Sequence, residues 1–157
     1  MAVILGSGDF TYEHVNDWHK LPGDAKLIET PGVAVDATDH VNAFSRNPEH
    51  PVMVFDREGE FLTSFGQGHF SNRTHGAFAG PDDSLYFTDD GTHTITKFSS
   101  DGELLLTLGI AGKPSKIWGG EPFNRPTHAA VSPNTGHIFV SDGYGNSRVH
   151  KYTADGE

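Results

Sequence analysis

Apolar residues alternate with polar ones over runs of four to six positions, and clusters of Gly, Pro, Asp or Asn separate the runs. A period of two bounded by turn formers is the signature of short strands, and no window sustains the 3.6-residue period of a helix. The best-defined stretch predicts strands over His75–Ala79, Leu85–Thr88, Thr94–Phe98 and Leu104–Leu108. Asp82-Asp83-Ser84, Asp89-Asp90-Gly91 and Ser100-Asp101-Gly102 supply tight turns between them. Four consecutive short strands of this kind form one antiparallel unit.

The same pattern recurs. TPGVAVDATDHVNAFSR (Thr30 to Arg46), THGAFAGPDDSLYFTDD (Thr74 to Asp90) and PTHAAVSPNTGHIFVSDG (Pro126 to Gly143) are versions of one segment. Each leads into a turn with glycine at Gly59, Gly102 or Gly156. A repeat of roughly 40 to 50 residues built of short strands predicts a β-propeller, each repeat one blade. Blades are expected near 30–70, 74–122 and 126–157, the third incomplete. Residues 1–29 do not fit the repeat and offer a ring-closing outer strand. Gly109 to Arg125, with four glycines and two prolines, is a long connection on one face of the disc. A propeller blade buries its faces only against neighbours, so fewer than three full blades predict either part of a longer polypeptide or two copies completing a ring. The chain's end inside a turn favours the first.

Charge and composition remove several classes of function. The formal net charge is −10, from 21 acidic and 11 basic residues, and no basic tract offers a nucleic-acid or anionic-membrane surface. There is no cysteine, so disulfides and thiolate zinc sites are excluded, and any metal must be held by histidine or oxygen. Met1-Ala-Val-Ile-Leu-Gly6 is apolar but short and lacks a basic flank, so no signal peptide is expected and a cytoplasmic location is favoured. HExxH, GxSxG and GxxxxGK are absent.

Ten histidines invite a metal reading. His50 and His93 occupy matching positions before the third strand of their blades, which favours packing or turn bonding. His14, His19, His40, His69, His137 and His150 have no repeat-matched polar company and are expected at surfaces or turns. Aligning Asn72-Arg73 with Asn124-Arg125 pairs His75 with Thr127, which sets His128 one position off, on the other strand face. His75 differs because it opens an innermost strand, where side chains approach the central channel. Three such histidines from separate blades can hold zinc and leave a fourth position open; a lone histidine there is otherwise structural. Tyr144, in the glycine-flanked turn Asp142-Gly143-Tyr144-Gly145-Asn146, is a candidate acid or base if a cation or metal stabilises its phenolate, or a packing residue if not. Arg46 ends the second strand of the first blade, where it can grip a carboxylate or form an inter-blade ion pair.

On GVAVD (Gly32 to Asp36), THG (Thr74 to Gly76) and TGHIFVSDGYGNSRV (Thr135 to Val149), the chain resembles NHL-repeat proteins. More narrowly it resembles the peptidyl-α-hydroxyglycine α-amidating lyases and their bacterial relatives. The resemblance implies an all-β, NHL-type propeller, with about two and a half to three four-stranded blades of a six-bladed ring present. It implies cleavage of peptidyl-α-hydroxyglycine to a peptide amide and glyoxylate, with zinc in the channel and a structural calcium nearby. By position His75 resembles one of three zinc histidines, Tyr144 the catalytic base and Arg46 the essential arginine. The main-chain carbonyls of Val33 and Ala77 resemble calcium ligands. The implied partner is a small peptide-like substrate. The two further zinc histidines and a calcium aspartate would fall in later blades, so these 157 residues alone are not expected to catalyse efficiently. Thr74 replaces an expected proline, and Gly145 replaces a disulfide cysteine of animal members, which points to a bacterial relative. The competing reading is a non-catalytic propeller that binds a peptide, protein or carbohydrate.

Overall fold

A computed structural model describes residues 3–120 and 122–157. The four strands predicted for the second repeat are present as β7 (Thr74–Ala79), β8 (Leu85–Asp89), β9 (Thr94–Phe98) and β10 (Leu104–Leu108), in a sheet ordered β10-β9-β8-β7. Ahead of it β3 (Gly32–Val35), β4 (Val41–Phe44), β5 (Val52–Phe55) and β6 (Phe61–Phe65) form an equivalent sheet. After it come β11 (His128–Val131), β12 (Ile138–Asp142) and β13 (Arg148–Tyr152), joined between β12 and β13 by the one-turn helix α1 (Gly143–Asn146). All three sheets are antiparallel meanders, the arrangement of propeller blades. β1 (Val3–Ser7) and β2 (Phe10–His14) form a separate hairpin whose residues are all exposed. No helix among the described residues is long and apolar enough to cross a membrane.

Strand alternation decides which blade each side chain meets. Leu85 and Phe87 of β8 join Phe44, Val52, Val54 and Phe65 of the first blade in one core, where the Phe44 and Phe87 rings lie 4.8 Å apart. Tyr86, from the opposite face, joins Ile95 and Leu108 against Val131, Ile138 and Val140 of the third blade. Every residue of β8 is therefore buried, because the second blade is covered on both sides. Burying each such aromatic contributes about 1.5–3 kcal/mol.

The outward face of the first blade is covered by the segment that precedes it. Trp18, Leu21 and Leu27 pack on Ala43, Met53 and Phe55. The Trp18 Nε1–H donates to the Arg57 carbonyl at 3.0 Å and the Lys20 amide to the Gly59 carbonyl at 2.8 Å. Gly59 has φ +83°, and a Cβ there would lie 1.9 Å from the Trp18 carbonyl oxygen. Only glycine lets this segment close on the turn.

Candidate functional site

The sheet register changes between Thr74 and Gly76, so His75 leaves the ladder at the start of the innermost strand of its blade. Its Nδ1 lies 2.8 Å from the Thr127 carbonyl and its Nε2 lies 3.1 Å from the Tyr144 hydroxyl. A carbonyl only accepts, so Nδ1 carries the proton and Nε2 presents a lone pair, which accepts the phenolic O–H. Gly76 makes this approach possible, because a Cβ there would sit 2.5 Å from His128 Nδ1 and 2.7 Å from the Thr127 oxygen.

Tyr144 is 57% exposed on α1, but the turn beneath it is held by buried polar groups. The fully buried Asp142 carboxylate accepts the Asn124 N–H at 3.0 Å, an Asn146 amide hydrogen and a contact from His150 Nε2 at 3.1 Å. The Gly145 amide donates to the Asn124 carbonyl at 2.9 Å, and the Gly145 carbonyl accepts the Trp118 amide at 3.0 Å. The long connection expected over Gly109–Arg125 thus braces the Tyr144 turn. This overturns the expectation for His150. It is buried beside Phe123, with ring centroids 5.2 Å apart, because β13 turns that side chain inward.

An arginine pair stands beside the tyrosine. Arg73 grips Asp90 through Nε and Nη2, both at 2.7 Å, and Arg125 Nη2 reaches the same carboxylate at 3.0 Å. Burial pushes the Asp90 carboxyl up, but the two guanidinium groups outweigh it and hold the group below the usual carboxylate range. The Arg125 guanidinium lies 4.6 Å from the centre of the Tyr144 ring. Arg125 has φ +61° and gives its N–H to His93 Nδ1 at 3.1 Å; burial is the main cause holding His93 below the ordinary histidine value. His50 Nδ1 is likewise tied, to Ser64 Oγ at 2.8 Å. Both repeat-matched histidines are engaged in such local contacts.

The structure thus brings His75 and Tyr144 together. Val33 and Ala77, from neighbouring inner strands, line one open pocket of about 410 Å³ with His75, Thr127 and His128. His128 was placed by the repeat alignment on the other strand face, yet its side chain borders this pocket. Burial, reinforced by the adjacent His75, holds it below the usual histidine value. Arg46 is not joined to this group: its Nη1 pairs with Glu29 at 3.0 Å, and among the described residues its buried Nε has no partner and no hydrogen bond links it to His75 or Tyr144. A larger depression, about 590 Å³, beside Asp24, Lys26, Asn47 and His50 shares no lining residue with the His75 pocket.

His75 suits one zinc ligand, with an Nδ1 fixed by a carbonyl and an Nε2 lone pair that here accepts the Tyr144 hydroxyl. Among the described residues no group of three or more histidines and carboxylates is arranged to hold a metal. Arg125 and its charge pairing were missed, although the Asn72-Arg73 and Asn124-Arg125 match was visible in the sequence.

The NHL repeat model matches residues 123–152. Peptidylglycine alpha-amidating monooxygenase of Rattus norvegicus is 31% identical over 181 residues, covering 96% of this chain. Peptidyl-alpha-hydroxyglycine alpha-amidating lyase 1 of Drosophila melanogaster is 40% identical over 92 residues, covering 57% of this chain. The chain spans 18% of the rat protein and 16% of the fly protein. In fold it is similar to virginiamycin B lyase from Staphylococcus aureus, with TM-score 0.66 and 14% identity, covering 94% of this chain and 43% of that one.

Proposed function

Starting from a chain that is a stretch of NHL-repeat propeller similar to the amidating lyases, we propose that it carries part of the active site of a peptidyl-α-hydroxyglycine α-amidating lyase. The observation that carries this reading is the 3.1 Å contact between His75 Nε2 and the Tyr144 hydroxyl, with His75 Nδ1 fixed on the Thr127 carbonyl. A metal-binding nitrogen and a proton-transfer oxygen therefore meet across two blades, where a small peptide-like substrate can reach both.

In this proposal His75 is one zinc ligand, and the others come from outside these residues, either from later blades or from a second copy. When bound, zinc supplies Lewis-acid polarisation of the substrate hydroxyl. Tyr144, acting as the base, takes the hydroxyl proton at its oxygen. The electrons of that O–H bond form the carbonyl of glyoxylate, the C–N bond breaks, and the amide nitrogen receives its electron pair and a proton. Arg46, whose side chain is partly exposed beside Glu29, is assigned a supporting contact to the substrate through its outer guanidinium nitrogens. The carbonyls of Val33 and Ala77 are assigned to calcium at the pocket they line, as a structural tie between inner strands.

The test is glyoxylate release from N-benzoyl-α-hydroxyglycine by the polypeptide as its host makes it, loaded with zinc. Tyr144→Phe and His75→Ala are each expected to lower the rate by about 10²-fold or more, the scale of a lost proton-transfer group. A zinc-loaded protein without turnover, or with turnover indifferent to both changes, overturns this reading in favour of a non-catalytic binding propeller.

A further inference from the structure

The repeat places an ion pair at one recurring position, between the residue that enters the inner strand and the residue that leaves the second strand. In the first blade these are Glu29 and Arg46, joined at 3.0 Å. In the second they are Arg73 and Asp90, with the charges reversed. The main chain repeats the match, since the Arg46 amide donates to the Glu29 carbonyl and the Asp90 amide to the Arg73 carbonyl. In the third blade the entering residue is Arg125, but the leaving residue is Gly143, which has no acid.

Arg125 therefore lacks the partner its position provides elsewhere. It borrows Asp90 from the second blade, already held by two bonds from Arg73, and its buried Nε has no hydrogen-bond partner among the described residues. One carboxylate, itself 3% exposed, faces two guanidinium groups. Asp89, next to Asp90 in sequence, is occupied by the amides of Ser71, Gly91 and Thr92 and by the Ser71 hydroxyl. The Arg125 side chain remains 42% exposed and stacks on Tyr144. A cation short of one negative charge thus stands at the open edge of the His75–Tyr144 contact.

We propose that Arg125 is a carboxylate-binding residue, which selects small α-hydroxy acids and acyl-α-hydroxyglycines by their free carboxylate and sets that group beside Tyr144. The proposal deepens the lyase reading for this site, but its charge argument stands on the arginine, the missing acid and the tyrosine alone. Arginine is suited to the role because its fork accepts a carboxylate through two parallel N–H bonds.

The test uses glycolate as probe and glycolamide as its neutral counterpart, followed through the His75 and Tyr144 ring signals in NMR titrations. Glycolate is expected to bind about tenfold or more tightly than glycolamide, as a charge-assisted contact implies. Arg125→Gln is expected to erase that preference. Gly143→Asp supplies the missing acid and is expected to erase it too; a Cβ at Gly143 would meet only Thr127, at 3.5 Å, so this variant keeps the fold even if the first does not. Equal binding of the two probes by the unaltered chain, or a preference that survives Gly143→Asp, overturns the proposal. Arginine-dependent glycolate binding without turnover of acyl-α-hydroxyglycine retains the carboxylate site and removes the lyase reading. Turnover with no carboxylate preference does the reverse.

Discussion

Replacing Asp142 by alanine tests whether the polar layer under the Tyr144 turn holds that turn in place. The carboxylate is fully buried and serves three donors. Of these, Asn146 keeps Ser115 Oγ and the Gly120 carbonyl, whereas the Asn124 amide and His150 Nε2 have no other hydrogen-bond partner among the described residues. Two orphaned donors, each formerly bonded to a carboxylate, cost about 1.5–3 kcal/mol apiece, so Asp142→Ala should lose about 3–6 kcal/mol. For a domain whose whole stability is about 5–15 kcal/mol this is a large fraction, and at an m-value near ~2 kcal/mol/M the urea midpoint should fall by about 2 M. Asp142→Asn keeps the shape, and His150 can answer by switching tautomer to accept from the new amide, so its loss should be about half as large. Urea titrations followed by far-ultraviolet circular dichroism measure both. A loss below about 1 kcal/mol in Asp142→Ala, or equal losses in the two variants, refutes the reasoning.

Other outcomes follow from the same geometry. Gly76→Ala drives a methyl group to 2.5 Å from His128 Nδ1 and 2.7 Å from the Thr127 oxygen, so it should cost about 1–3 kcal/mol and break the His75–Tyr144 contact, read as loss of ring-to-ring nuclear Overhauser effects. Phe87→Ala opens the core shared by the first two blades and should cost about 3–5 kcal/mol by urea titration. Between about pH 4 and pH 2 stability should fall with pH. Asp90 and Asp82 have folded values below their unfolded ones, Asp82 at about 2, so the unfolded chain takes up protons first; Asp90→Asn should flatten that slope. His93, also lowered, gives the same sign just below the ordinary histidine value, since its neutral Nδ1 accepts the Arg125 amide; His93→Gln should reduce the loss of stability from about pH 6.5 to 5.

The blade pattern was legible because it rests on local chemistry. Alternation and turn residues located β7 to β10 within a residue, and the burial of every residue of β8 is explained by cover on both faces. His75 and Tyr144 were legible as candidates from their repeat positions, one at a strand entry and one in a turn that breaks the pattern. What escaped depends on contacts between blades. Burial of His150 follows from how β13 packs near Phe123, and nothing adjacent in sequence signals it. Arg125 matters through Asp90, which lies in another blade. Trp18, Leu21 and Leu27 belong to no repeat, so only the packed structure reveals that they cover Met53 and Phe55.

Zinc content and mass measured on one purified sample, by elemental analysis and light scattering, test most directly whether His75 is one ligand of a zinc site completed from beyond these residues. The account predicts stoichiometric zinc only in an assembly or longer polypeptide that supplies the remaining ligands, and its loss in His75→Ala. Zinc retained by His75→Ala, or bound tightly by the monomeric 157-residue chain, contradicts it.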